Sequence, residues 1–219
     1  MTEPVAWSFS RLNSFETCPK KFYHISVQKD VKESEGEAII YGKMVHKALE
    51  NRVKSGTPLP LNLTHLEKYA ARFAEAPGNK LTEQQLCIDK NFAPCDWFSK
   101  EAWCRSILDL AIVSGSKAVL VDYKTGKISE DFTQMRLAAV MFMLHMPDVQ
   151  ETTICYLWTK HKRITSEIFT RAQIKELISE MMPRLNHYNA AHANKDFPPR
   201  PGWLCKNYCP VIKCPHNGE

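Results

Sequence analysis

The chain has 219 residues, 44% hydrophobic and 24% charged, enough for one substantial core with room for a small appended element. No run of about 18 uncharged apolar residues occurs, and MTEPVAWSFS has neither a basic n-region nor an apolar h-region. The expectation is therefore a soluble intracellular protein with neither membrane span nor secretory leader, and a formal charge of +5 permits an acidic partner such as nucleic acid without requiring one.

Taken in chain order, Ser10 ahead of RLNSFETC offers an N-cap. Leu12, Phe15 and Glu16 then spell a short amphipathic helix that Pro19 stops, with KKFYH as a second turn. From about Ala38 to Lys54 apolar residues recur at helical spacing (Ile40, Met44, Val45, Leu49, Val53), predicting a helix that carries His46 and ends at the breaker-rich SGTPLP. A second helix runs from about Thr64 to Glu75, and APGN ends it. QQLCIDKNF, AWCRSILDLAIV and KAVLVDYK read as three strands, the last two joined by the tight turn SGS and therefore antiparallel neighbours. DFTQMRLAAVMFMLHM, about 131–146, is a strongly apolar helix. ETTICYLWT and ITSEIFT form another hairpin around the basic turn KHKR. A long helix over about 171–192 contains Pro183, which removes a backbone donor and predicts a kink. The tail FPPRPGWLCKNYCPVIKCPHNGE has too many prolines and cysteines for regular structure. With no internal repeat and no low-complexity tract, this order of elements predicts an α/β or α+β domain on a mixed sheet.

Eight cysteines without an export signal argue against a disulfide framework and leave burial, redox chemistry or metal. Cys87, Cys95, Cys104 and Cys155 lie in or beside strand-like segments, where cysteine behaves as a small hydrophobe. Cys18, Cys205, Cys209 and Cys214 sit in polar, proline-punctuated settings, three of them within ten residues.

The stretch AVLVDYKTGK, residues 118–127, ends an apolar run with Asp122 and Lys124, whose side chains share one face of a strand while Tyr123 points to the other. Asp109, in SILDLAIV, lies on the strand paired through SGS, so Asp109 and Asp122 fall within reach of one ion. Two buried carboxylates side by side cannot both stay charged without a cation. A divalent metal resolves that, and the oxygen donors suit Mg²⁺ or Mn²⁺, with one imidazole tolerated by Mn²⁺.

The ordered set of SFSRLNSFETCPKKFY, YGKMVH with His46, Asp109, and Asp122-Tyr123-Lys124 followed by Thr-Gly resembles the PD-(D/E)XK nucleases, and among them the RecB-like group. The resemblance covers nearly the whole chain. It implies a restriction-endonuclease-like α/β fold, a mixed central sheet flanked by helices, as a single nuclease domain over 1–219. Within it, 1–24 hold an N-terminal helix and the first cluster cysteine, 38–170 the nuclease core, and 171–219 a helix and the cysteine-rich segment. His46, Asp109, Asp122 and the backbone carbonyl of Tyr123 would be metal ligands, and Lys124 would orient or help deprotonate the attacking water. Hydrolysis of a phosphodiester needs a polarised phosphate, an activated water and a cation near the transition state, and these groups supply each. Gln134 matches a glutamine that the group places near the metal and the nucleic acid; four residues on, where the family usually has tyrosine, this chain has Ala138.

Some RecB-like nucleases, including CRISPR-associated ones and the AddB nuclease domain, hold a 4Fe–4S cluster between one N-terminal and three C-terminal cysteines. By resemblance that set is Cys18 with Cys205, Cys209 and Cys214, joining the two ends of the chain. Its spacing is C-x3-C-x4-C where the family has C-x2-C-x5-C, and four thiolates also suit Zn²⁺. The basic turn Lys160, His161, Lys162 and Arg163 after Trp158, with Arg11, Lys20 and Lys21, either tracks a phosphate backbone or forms solvated surface. The expectation is a metal-dependent DNA exonuclease acting on single-stranded ends, of a phage or CRISPR-associated kind, in the cytoplasm of a prokaryotic or phage-infected cell. Its partners would be DNA and, beyond it, further copies of the chain or recombination or CRISPR-adaptation proteins, with no membrane. The alternatives are a non-catalytic nucleic-acid-binding or assembly module and a zinc-stapled endonuclease.

Overall fold

The computed structural model describes residues 5–219, and the reading of MTEPVAWSFS as lacking leader character falls in part outside the described residues. The elements in chain order are α1 (Phe9–Thr17), α2 (Pro19–Phe22), a π-helical turn (Tyr23–Gln28), α3 (Glu37–Ser55), a 3₁₀ segment (Leu61–Leu66), α4 (Glu67–Glu75), β1 (Asn79–Ile88), β2 (Cys104–Ser114), β3 (Lys117–Lys124), α5 (Thr133–His145), β4 (Glu151–Trp158), β5 (Arg163–Thr170), α6 (Ile174–Asn194) and α7 (Leu204–Asn207). Contacts divide the chain into two compact units, one of Glu35–Leu177 and one of the residues up to Ser34 together with Ile178–Glu219. No helix among the described residues is long and apolar enough to cross a membrane.

The central unit is built on a five-stranded sheet in the order β1-β2-β3-β4-β5. All neighbours are antiparallel except β3 and β4, which are parallel and therefore need a crossover, supplied by α5. Period-two alternation sorts the side chains: Leu110 and Ile112 of β2, Val121 and Tyr123 of β3, and Cys155 and Leu157 of β4 join Val45, Leu49, Leu63, Leu66, Ala70 and Phe73 in one buried cluster beneath α3 and α4. α5 is apolar almost all round, and every residue from Leu137 to Met143 is buried. Its first turns are tied to β5 by a bidentate pair in which Arg136 donates to both oxygens of Glu167 at 2.7 Å. Its far end is held by Arg171, whose guanidinium donates to the carbonyls of Met143 (2.8 Å), Met146 (3.1 Å) and Val149 (2.7 Å).

β1 begins at Asn79, five residues before the sequence pattern suggests, because its first five residues are polar or charged except for Leu81 and carry little apolar signal. It ends at Ile88 and not at Phe92, since the Asp89 carboxylate accepts the N–H groups of Asn91 and Ala93, both at 2.8 Å, and turns the chain. Gly78, at φ 120°, opens β1 where a β carbon would press on the carbonyl oxygen of Val113.

In the second unit the first helix is capped by Ser8, two residues ahead of the expected Ser10, its Oγ accepting from the Arg11 N–H at 3.3 Å. The chain is extended at Cys18 and Pro19 starts α2, a position where the missing N–H costs nothing. Phe15 and Phe22 are buried edge-on against Tyr188 of α6, with ring centroids 5.3 and 5.6 Å away. Arg184 clamps Glu16 with two hydrogen bonds of 2.7 and 2.6 Å. α6 continues through Pro183, and beyond it the tail holds only the one-turn α7 among the described residues.

Candidate active site

The register that pairs Leu110 with Val121 would place Asp109 opposite Asp122, but the ladder stops one step short of them. In place of the next ladder bond, the Tyr123 N–H donates to Asp109 Oδ2 at 2.6 Å. The other oxygen, Oδ1, lies 3.0 Å from Nδ1 of His46 on α3. A single carboxylate thus links the parting strands to the helix above them. Asp122 and Lys124 share a side of β3 as alternation requires, with Nζ 2.9 Å from Oδ2. The pair is ionic and not an aligned hydrogen bond, for Oδ2 is buried without a donor directed at it. Gln134, in the first turn of α5, bridges the two: its Oε1 accepts from Lys124 Nζ at 2.9 Å and its Nε2 donates to Asp122 Oδ1 at 3.4 Å.

Tyr123 turns the other way into the core, edge-on to His46 with centroids 5.7 Å apart. The carbonyl of Lys124 accepts from both the N–H and the hydroxyl of Thr159, at 2.9 and 3.1 Å, which fixes the end of β3. Sequence reasoning missed three neighbours. The Lys124 ammonium stands 5.2 Å over the ring of Tyr156, the β4 partner of Asp122. Glu50 lies one helical turn beyond His46 on α3, a spacing visible in the sequence. Glu83 falls opposite Asp109 by the β1–β2 register, at a positive φ of 50° that breaks the pairing there.

Asp109 and Asp122 are 8% and 9% exposed. Burial pushes the Asp122 carboxyl up; the Lys124 ammonium opposes this and the neighbouring Asp109 charge adds to it. For His46, burial works against the charged ring, yet the hydrogen bond to Asp109, the charges of Asp109 and Asp122 and the main chain of Tyr123 outweigh it and raise its pKa. Glu83 is raised by partial burial first, then by the charges of Asp109 and Glu50. Of these causes, the pull of Asp109 and Asp122 on the His46 proton and the push of the Asp109 charge on Asp122 and Glu83 mark negative charge gathered at one spot, which a divalent cation fits. Among the described residues no group of three or more His, Cys, Asp or Glu side chains already stands as a metal's ligand set. His46 and Asp109 hydrogen-bond each other instead, and Asp122 is held by Lys124 and Gln134.

Cys18, Cys205, Cys209 and Cys214 are unlinked, half-buried and line one small pocket together with His216. The Arg200 N–H donates to Cys18 Sγ at 3.5 Å, and the Gly218 N–H to the Cys205 carbonyl at 3.1 Å. The pocket gathers the four thiols without setting them as ligands. Cys87, Cys104 and Cys155 are buried among apolar neighbours, and Cys95 lies against Cys87 with sulfurs 3.3 Å apart. In the basic turn, Lys160 sits 5.7 Å over the ring of Tyr41 and the Lys162 carbonyl accepts from the Tyr69 hydroxyl.

A mixed sheet whose inner hairpin parts at two carboxylates, with a lysine two residues beyond the second, is an arrangement suited to metal-dependent phosphodiester hydrolysis. The family model of the PD-(D/E)XK nuclease superfamily matches residues 6–111 and 105–214, and the chain belongs to that superfamily. It is therefore a nuclease, a metal-dependent phosphodiester hydrolase of a family that typically uses Mg²⁺ or Mn²⁺. Among solved structures, a candidate exonuclease from Eubacterium rectale shares the fold, with a TM-score of 0.51 and 14% identity over 91% of this chain and 85% of that one. The protein SSO0001 aligns over 99% of this chain and 89% of its own at 16% identity and a TM-score of 0.43. No curated sequence matches the chain.

Proposed function

We propose that this nuclease is a RecB-like DNA exonuclease that hydrolyses single-stranded ends, in the cytoplasm of a prokaryotic or phage-infected cell. The observation that carries the reading is the parting of β2 and β3, which leaves Asp109 and Asp122 together with His46 on one and Lys124 on the other. In this reading His46, Asp109, Asp122 and the Tyr123 carbonyl hold Mg²⁺ or Mn²⁺. Bound there, the cation supplies Lewis-acid polarisation of the scissile phosphate and a water of lowered pKa. Asp109 orients the imidazole, and Asp122 directs the Lys124 ammonium at the reacting phosphate. Lys124, steadied by Gln134 and Tyr156, holds the attacking water or the charge that grows on the phosphoryl oxygens. Water oxygen bonds to phosphorus, the bond to the leaving sugar oxygen breaks, and the proton lost by water ends on that oxygen or in solvent.

The single-strand and exonuclease parts rest on the resemblance of the motifs to the RecB-like group, and the name carried by the Eubacterium rectale protein agrees with the exonuclease part alone. The same resemblance, with four thiols on one pocket, supports a 4Fe–4S cluster at Cys18, Cys205, Cys209 and Cys214, Zn²⁺ being the alternative that four thiolates allow. Further copies of the chain, or recombination or CRISPR-adaptation proteins, are the partners this reading admits. A covalently closed single-stranded circle tests it against the endonuclease reading. An exonuclease degrades the linear strand and leaves the circle whole; a cut circle contradicts the proposal.

A further inference from the structure

The cysteine-bearing unit carries a surface feature that the nuclease chemistry does not use. Trp203 is 76% exposed and Tyr208 65% exposed, and their rings stand 5.8 Å apart at 75°. Two large aromatic faces left side by side in water mark a contact surface more often than chance exposure. They line a pocket whose other walls include Thr17, Lys21, Arg200 and Leu204. Among the described residues its lining holds two cations and no carboxylate. Lys21 is paired with Glu33 at 2.5 Å, but the Arg200 guanidinium donates to a neutral group, the Glu16 carbonyl, and so keeps its full charge with donors to spare. A flat aromatic face, a second ring set against its edge and an uncompensated guanidinium together match a nucleotide, one base and one phosphate.

We propose that this pocket is a single-stranded nucleic-acid subsite in which a base stacks on Trp203 with Tyr208 against its edge, and the adjoining phosphate meets Arg200 and Lys21. The proposal rests on the nuclease reading and adds a grip on the strand made by the cysteine-bearing unit. A single strand is the occupant because base faces in a duplex are hidden by stacking, whereas every unpaired base offers one. The cationic, carboxylate-free lining favours a polyanion over a protein surface, whose contact would pair such charges with acidic groups.

The test is equilibrium binding of labelled oligothymidylate to the full chain, purified with its cysteine site intact, with magnesium and manganese withheld so that nothing is cut. Trp203→Ala is expected to weaken binding by roughly five- to a hundredfold, and Trp203→Phe to restore most of it. Arg200→Ala is expected to lower the slope of log affinity against log salt by about 0.7. An oligomer of abasic residues should be indifferent to Trp203→Ala yet still respond to Arg200→Ala. Equal binding by wild type and Trp203→Ala overturns the subsite, as does a loss that is the same for abasic and intact strands. If Trp203→Ala abolishes self-association while leaving DNA binding unchanged, the surface docks a second copy and the proposal is wrong. Cleavage after magnesium or manganese is restored keeps the two claims apart: a wild type that cuts with an unaffected Trp203→Ala removes only the subsite, and one that binds through Trp203 without cutting removes only the catalytic reading.

Discussion

Gln134 touches both charged ends of the Asp122–Lys124 pair, and removing it would leave Lys124 Nζ without its amide acceptor and Asp122 Oδ1 without its donor. Gln134→Ala should therefore lower the cleavage rate by about 10- to 100-fold, the usual effect of losing an orienting partner, while the melting temperature barely moves. An unchanged rate would show that the bridge positions nothing. A second residue links protonation to stability. His192 stands among the rings of Phe22, Tyr188 and Phe197, and burial first, then the charge of Arg11, hold it below its ordinary value of 6.5. The unfolded chain takes up this proton before the folded one, so the contribution is complete above about 6.5 and is lost as the pH falls below it. Melting scans between about pH 7 and pH 5 should fall less steeply for His192→Gln than for wild type; equal slopes would sink the assignment. At this scale the site was largely legible: alternation alone put Asp122 and Lys124 together. The bond from the Tyr123 N–H to Asp109 was not, because it replaces a ladder bond where the strands part, and no side-chain pattern encodes that.

Single elements are placed by polar clamps as much as by apolar faces. Arg171, immediately after β5, gathers the last carbonyls of α5 and of the loop into β4, and so holds the crossover that makes β3 and β4 parallel. Arg171→Ala should lower unfolding free energy by about 2–4 kcal/mol through several charge-assisted bonds lost at once. Arg171→Lys should recover only part, since an ammonium lacks the planar fork that reaches three carbonyls. Chemical denaturation of both variants checks this, and full recovery by lysine would contradict it. The strands of the inner sheet were readable because β-branched and aliphatic runs bounded by turn residues carry their own signal, and KAVLVDYK matches β3 to the residue. The start of β1 was not, because from Asn79 to Glu83 the strand offers Leu81 as its one apolar residue and so shows little apolar alternation. Leu61–Leu66 entered as a 3₁₀ segment where a helix starting near Thr64 was expected, its spacing of leucines serving either form.

Across the whole molecule, contacts between distant parts of the sequence decide the architecture. Glu16 meets Arg184 across 168 residues, and the Val5 N–H donates to Asn189 across 184. Such pairings make one unit from both ends of the chain and place its boundary inside α6, which composition and linker signals had no means of revealing. Within that unit Cys18 shares a pocket with Cys205, Cys209 and Cys214, the four that the family resemblance names. A metal held by all four would close a loop of nearly the full chain, restricting the unfolded ensemble. Cys209→Ser should lose the bound metal, iron or zinc by elemental analysis, and lower the melting temperature; unchanged metal content would defeat the four-thiolate assignment. The most direct test of the central claim is degradation of end-labelled single-stranded DNA with Mn²⁺ or Mg²⁺ by wild type, by wild type with chelator and by Lys124→Ala. Cleavage is expected only from metal-supplied wild type, with Lys124→Ala slower by at least about a hundredfold. Cutting that survives Lys124→Ala, or a wild type that binds DNA and never cuts it with either metal, would contradict that claim.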